Sequence, residues 1–317
     1  MAELILHHFE ASPFSEKLRL VLGYKKLAWK SVIVPSTSPK PDVVALTGGY
    51  RKTPFLQIGA DIYCDTALIC DLLEYLQPIP TLYPQASEGK ALACTLAQWA
   101  DSTLFWAAVT YNRGPKGTGL NFGGASAELT RALFEDRKAM GFDMEWVRPA
   151  DAATPYQCYL QRLSDFLHSQ PYLMGKQPCI ADFCAYHPLW MLNIRPPAAM
   201  DRSLLTPALM AWLERMQAIG HGHVEKLDSA QAIDVAANAQ PAAVGQGPLK
   251  GDFHDEHGIA LGSSVTITAE SFGVEPSKGV LVAATRTHYS LSRIDERAGN
   301  VHVHFPRIGY LLKKADQ

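Results

Sequence analysis

Two residues eleven positions apart, Pro54 and Asp65, frame the stretch of this chain with the clearest chemical use. Pro54 stands at the mouth of a strand predicted from Phe55, Leu56 and Ile58, where it removes a ladder donor. Gly59-Ala60-Asp61 supply turn chemistry, and Ile62 to Cys64 make the return strand. Asp65 then occupies the N-cap position of a helix through Ala67 to Leu76, whose first N–H groups are open to an anion. A proline-fixed backbone edge beside such a helix start could hold an extended, peptide-like ligand with a carboxylate. Ser12, with Pro13 at the first helical position, marks another helix start, and Ser15 follows within its first turn. Trp99, Ser102, Trp106 and Tyr111 fall on one predicted helix, either as the wall of a cleft or as core. His302 and His304 share one face of a strand and, with His254 and His257, could ligate a metal; the reading preferred is a solvated strand face, with no metal.

The elements that would position these residues follow in order. Leu4 to Phe9 predicts a buried strand, Ser12 onward a helix ending near Gly23, and Trp29 to Val34 a second strand. Asp42 to Leu46 is a short helical segment closed by Gly48-Gly49. With the stretch around Pro54 and Asp65, the order is β-α-β-α-β-β-α over residues 1–80. A Pro-rich linker (Gln77 to Pro84) leads to an all-helical region, residues 88–241. There Leu92, Leu96, Trp99, Thr103 and Trp106 recur at helical spacing, Asn112 to Gly124 is a Gly-rich loop and candidate flap, and Ala127 to Met140 is a further helix. Later helices are predicted from Thr154 to His168, Pro178 to Asn193, Pro207 to Ile219 and Ser229 to Ala239. After a second linker (Ala242 to Gly251) the pattern changes to period two. Val265 to Thr268, Gly279 to Ala283, Tyr289 to Ile294 and Val301 to Phe305 predict a small antiparallel barrel or sandwich over residues 250–317.

Composition narrows the class. The 317 residues suit two or three domains; 47% hydrophobic and 19% charged residues describe an ordinary globular protein. A net charge of -2 gives no sign of nucleic acid or an anionic membrane as partner. The start, Met1-Ala2-Glu3-Leu4, has no basic n-region, no apolar run reaches membrane-spanning length, and the six cysteines form no Cys-x-x-Cys pair. Reduced thiols in a cytoplasmic protein are the expectation.

The first 240 residues or so resemble the soluble glutathione S-transferase family. Ser12-Pro13-Phe14-Ser15-Glu16-Lys17-Leu18-Arg19 is similar to the segment opening the first helix of its serine- and cysteine-type members. Lys52-Thr53-Pro54-Phe55-Leu56 resembles its cis-proline loop, and Asp65-Thr66 its acidic-hydroxyl pair. Leu173-Met174-Gly175 through Ile180-Ala181-Asp182-Phe183 resembles the motif that begins its buried helix. The resemblance implies a thioredoxin-like N-terminal domain, an all-helical second domain, glutathione as co-substrate with no tightly bound cofactor, a small electrophilic acceptor and a homodimer. It implies that Ser12 activates the glutathione thiol, with Ser15 as substitute. Phe14, Lys52, Thr53, Pro54, Asp65 and Thr66 would bind glutathione, and Trp106 and Tyr111 the acceptor. Lys52 either reaches the glycyl carboxylate or is a solvated lysine.

Conjugation to an apolar acceptor is the leading expectation. Glutathione-dependent isomerisation or peroxide reduction and a non-catalytic binding protein are the alternatives. Two departures stand out. Cys179 replaces the Ser or Thr that would complete a capping box with Asp182. The β-rich tail lies outside the usual family fold; it packs on the helical domain, extends a dimer interface or contacts a partner.

Overall fold

The computed structural model describes residues 3–113, 126–141, 148, 151–193, 204–245 and 249–315. Its N-terminal unit comprises β1 (Ile5–His8), α1 (Pro13–Tyr24), β2 (Ala28–Ile33), α2 (Pro41–Thr47), β3 (Phe55–Ile58), β4 (Asp61–Cys64) and α3 (Thr66–Leu76). β1 pairs parallel with β2 and antiparallel with β3, and β3 pairs antiparallel with β4, which is the thioredoxin-like order β4-β3-β1-β2. α1 and α3 start where the sequence places a cap. Ser12 Oγ accepts from the Ser15 N–H, and Asp65 Oδ1 from the Ala67 N–H.

The helical unit contains α4 (Ser87–Trp99), α5 (Phe105–Arg113), α6 (Ala127–Ala139), α7 (Ala153–Leu167), α8 (Ile180–Asn193) and α9 (Pro207–Gln217). The single helix expected through Trp106 is interrupted. A π-helical turn, Ala100–Leu104, separates α4 from α5. Such a turn adds a residue to the helical repeat and re-aims the side chains beyond it. Asp182 anchors α8: its carboxylate accepts from the N–H groups of Leu173 (2.8 Å) and Cys179 (3.0 Å) and from Trp212 Nε1 (2.9 Å).

After α9 the chain returns to the sheet. β5 (His223–Lys226), absent from the sequence reading, pairs parallel with β2, and α10 (Ser229–Ala237) follows behind a capping box of Asp228 and Gln231. Gly23 makes the return possible. A Cβ there would lie 2.1 Å from the Gly220 carbonyl oxygen.

The tail is β-rich: β6 (Ser264–Ala269), β7 (Ser277–Ala284), β8 (His288–Asp295), β9 (Gly299–Pro306) and β10 (Tyr310–Lys314), the last also unforeseen. Rather than a sheet of its own, it continues the thioredoxin-like sheet. β9 pairs parallel with β4, matching Asp61 with His302 and Tyr63 with His304, so ten strands run in the order β10-β6-β7-β8-β9-β4-β3-β1-β2-β5. One hydrophobic core joins Val43, Leu46, Tyr50, Phe55 and Ile62 to Val265, Leu291, Val303 and Phe305. Gly49 permits the close approach, since a Cβ there would lie 2.1 Å from the Pro276 carbonyl oxygen. The expectation of a solvated strand face at His302 and His304 is overturned. His304 is 5% exposed and held between Ser290 Oγ (2.7 Å) and Asp61 Oδ1 (2.9 Å). The linker crosses this face, where the Ala242 N–H donates to Asp61 Oδ2, so alternation alone misjudged it. Among the described residues no His, Cys, Asp and Glu group suits a metal ion, and no helix is long and apolar enough to cross a membrane.

Candidate functional site

A cleft of about 940 Å³ runs between the three units. It is bounded by the Ser12–Phe14 start of α1, the Tyr50–Pro54 loop and the start of α3 at Asp65 and Thr66. Its far wall is α4, the π turn and α5, with Ser102, Phe105 and Trp106. The tail closes one side with Phe272, Arg286 and Tyr310. The volume is at the upper end of small-molecule sites.

Ser12 lines this cleft. Its hydroxyl accepts from the Ser15 N–H at 3.2 Å, which uses a lone pair and leaves its own proton to donate. Capping and donation to a ligand therefore do not compete. Ser15 is elsewhere: fully buried, absent from the cleft lining, its Oγ without a hydrogen-bond partner. The substitute role expected of it has no support in this geometry, because its side chain faces the core side of α1. Phe14 lines the cleft and packs against Phe105 and His187 at ring-centroid distances of 4.8 and 4.5 Å.

Thr53 and Pro54 line the cleft opposite, and the peptide bond between them is cis. Lys52 is not a solvated lysine. Its ammonium lies over the rings of Tyr50 (5.3 Å) and Tyr310 (5.0 Å), and burial lowers its pKa while the neighbouring Asp65 carboxylate opposes the shift. That puts it beside the start of α3. Asp65 sits at φ 76, a conformation disfavoured for any residue but glycine. Oδ1 caps α3, and Oδ2 accepts from the Tyr310 hydroxyl at 3.1 Å. Thr66 is at the first helical position beside it and lines the cleft.

Trp106 lines the far wall of the cleft and meets Phe272 of the tail edge to face at 5.7 Å. Tyr111 does not line it. It is 1% exposed and stacked on Tyr156 at 4.8 Å, in the core between α5 and α7. Both residues lie on α5, where five residues turn the helix by about 140°, so Trp106 and Tyr111 do not share a face. Of the Asn112 to Gly124 flap, residues 114–124 lie outside the described residues.

Sequence reasoning missed several lining residues. Lys17, on α1, is fully buried at the cleft floor and pairs with Asp101 at 2.5 Å; Asp101 also bonds His187 Nε2 at 2.9 Å. Burial works against the ammonium, but Asp101 keeps it charged, and Lys17 in turn holds the Asp101 carboxyl at about 2 despite its own burial. Asp101 lies on the π turn, so helical periodicity could not aim it at α1. Lys40 borders the cleft, buried, and burial lowers its pKa to about 8, with Arg137 adding to the shift. The hydrogen bond to Asp65 makes Tyr310 part of the site, although it is almost at the chain's end. Only the fold carries that signal.

Comparison with known proteins agrees with this arrangement. The family model for the glutathione S-transferase N-terminal domain matches residues 6–81, and that for the C-terminal domain residues 151–219. A GST-like protein from Pseudomonas syringae, known by its crystal structure, is 40% identical. The match covers 99% of this chain and 100% of that one at a TM-score of 0.78, so it spans the tail. A glutathione S-transferase from Rhodospirillum rubrum is 18% identical over 68% of this chain and 88% of its own, at 0.52. A β-etherase from a Sphingobium strain is 21% identical over 68% and 95%, at 0.50. Those two likenesses concern the fold alone. No curated protein matches significantly.

Proposed function

The chain belongs to the glutathione S-transferase family, and from that premise we propose that its cleft binds glutathione and activates the thiol toward a small, apolar electrophile. The observation that carries this reading is the continuity of the cleft. It runs from a helix start suited to a carboxylate, past the Ser12 hydroxyl, to the aromatic wall of Phe14, Phe105 and Trp106. The γ-glutamyl carboxylate would take the Thr66 hydroxyl and the first N–H groups of α3, with Lys52 as a nearby cation, and the ammonium would face Asp65. Thr53 would meet the cysteinyl unit. The thiol would then lie at the start of α1.

A thiol of ordinary pKa, about 8.5, is mostly protonated at neutral pH. Donation from Ser12 and the positive end of the α1 dipole stabilise the thiolate, so the thiol gives up its proton to solvent more readily. The thiolate then forms the new carbon–sulfur bond. Where the acceptor carries a leaving group, that group departs with its bonding pair. The Lys17–Asp101–His187 cluster keeps the floor of the site rigid.

Glutathione affinity by calorimetry, with turnover of a general aryl halide, tests the reading. Absence of binding at millimolar glutathione would reject it. Binding without turnover of electrophiles, peroxides or disulfides would leave a binding protein. Ser12→Ala should lower turnover by on the order of tenfold to a hundredfold, through loss of a charge-assisted hydrogen bond. The ultraviolet absorbance of bound thiolate should fall with it, and unchanged turnover would remove Ser12 from the mechanism.

A further inference from the structure

β10 is separated from β4 by β6, β7, β8 and β9 in the sheet, which in a flat sheet would place it about 24 Å away. Yet Tyr310, the first residue of β10, donates to Asp65 Oδ2, one residue past the end of β4, at 3.1 Å. The tail therefore curls back over the start of α3. Gly309, at φ 85, makes the turn that aims Tyr310, whose own packing is against Tyr50 and Phe305 at 6.4 and 5.4 Å. The ring is 4% exposed. Two cleft residues depend on it. Asp65, held at φ 76, has one carboxylate oxygen fixed by its own helix and the other by Tyr310. The Lys52 ammonium rests over the Tyr310 ring.

We propose that Tyr310 is a positioning residue of the glutathione site: its hydroxyl fixes Asp65 to receive the γ-glutamyl ammonium, and its ring holds Lys52 beside the neighbouring carboxylate. The β-rich tail is on this account part of the binding site rather than an appended interaction module. Each Asp65 oxygen has two acceptor positions, so one on each remains for the ammonium after the Ala67 and Tyr310 bonds are made. Without the Tyr310 bond this carboxylate, on a strained backbone, would be held through Oδ1 alone.

The inference rests on the glutathione reading, and the test separates the two. Calorimetric binding to the full chain is measured with glutathione and with an analogue in which a glutaryl group replaces the γ-glutamyl group, so that the ammonium alone is missing. Tyr310→Phe keeps the ring under Lys52 and removes the hydroxyl. Its dissociation constant for glutathione should rise about five- to tenfold, while the analogue should bind wild type and variant alike within about twofold. In an Asp65→Asn background, Tyr310→Phe should add little. Tyr310→Leu, which also removes the ring, should weaken both ligands. Equal losses for both ligands in Tyr310→Phe, or no loss with the fold intact by circular dichroism, would overturn the proposal. If Tyr310→Phe does not fold, Asp65→Asn alone decides: it must weaken glutathione and spare the analogue. Wild-type protein that binds neither ligand would reject the glutathione reading itself.

Discussion

In the proposed mechanism Ser12 has two tasks and one oxygen, and they do not compete: a lone pair accepts from the Ser15 N–H to cap α1, which leaves the hydroxyl proton available to donate. His7, His8, His187 and His288 are simpler, since burial favours their neutral form. Burial lowers His7, His187 and His288 to about 4. His8 falls to about 3, first through burial and then through the Arg19 guanidinium beside it. Above pH 6.5 these groups are neutral whether the chain is folded or not. As the pH drops through that value the unfolded chain takes up protons that the folded one refuses, so stability is lost progressively between pH 6.5 and about 4. The thermal midpoint should therefore fall by several degrees between pH 7 and 5. A midpoint that stays flat over this range would contradict the burial argument.

At the scale of elements, α8 is capped from one side only. Asp182 reaches back to the Cys179 N–H at 3.0 Å, which is the return half of a capping box, but the thiol of Cys179 is a poor substitute for a hydroxyl in the forward half. Cys179→Ser should stabilise the protein by about 0.5–1 kcal/mol, read as a small rise in melting temperature. A clear drop would mean that packing of the buried thiol outweighs the cap. The π turn between α4 and α5 carries the other lesson at this scale. It is where Asp101 leaves helical register to meet Lys17 and His187; beyond it Trp106 and Tyr111, five residues apart on α5, end in different environments because five residues turn an α-helix by about 140°.

For the whole molecule, the tail and the thioredoxin-like unit share a sheet and a core. Removal of residues 250–317 would uncover the outer edge of β4 and the apolar side chains of Phe55 and Ile62. Open strand edges beside apolar surface pair with other chains. The truncated chain should aggregate or be recovered in inclusion bodies, and the full chain should melt in one transition that includes the tail. A soluble, monodisperse fragment 1–249 with native circular dichroism would refute this.

What the sequence determined by itself is everything set by local rules. Ser12-Pro13 and Asp65 start their helices because a short polar side chain satisfies free N–H groups at any helix start. Val301, Val303 and Phe305 face a core because strand periodicity leaves them no other side. The ordered landmarks around Thr53-Pro54 and Asp65-Thr66 were enough for the family, and those residues do border one cleft. Tertiary structure alone decided the rest. β5 and β10 are short and were invisible until β2 and β6 gave them partners. Ser15 and Tyr111 lie in the core because the packing of α1 and α5 against their neighbours decides which helix face turns inward, and spacing along the chain does not. Tyr310 meets Asp65 across 245 residues of chain because parallel pairing of β9 with β4 brings the tail home, and no local pattern encodes a pairing partner that far away.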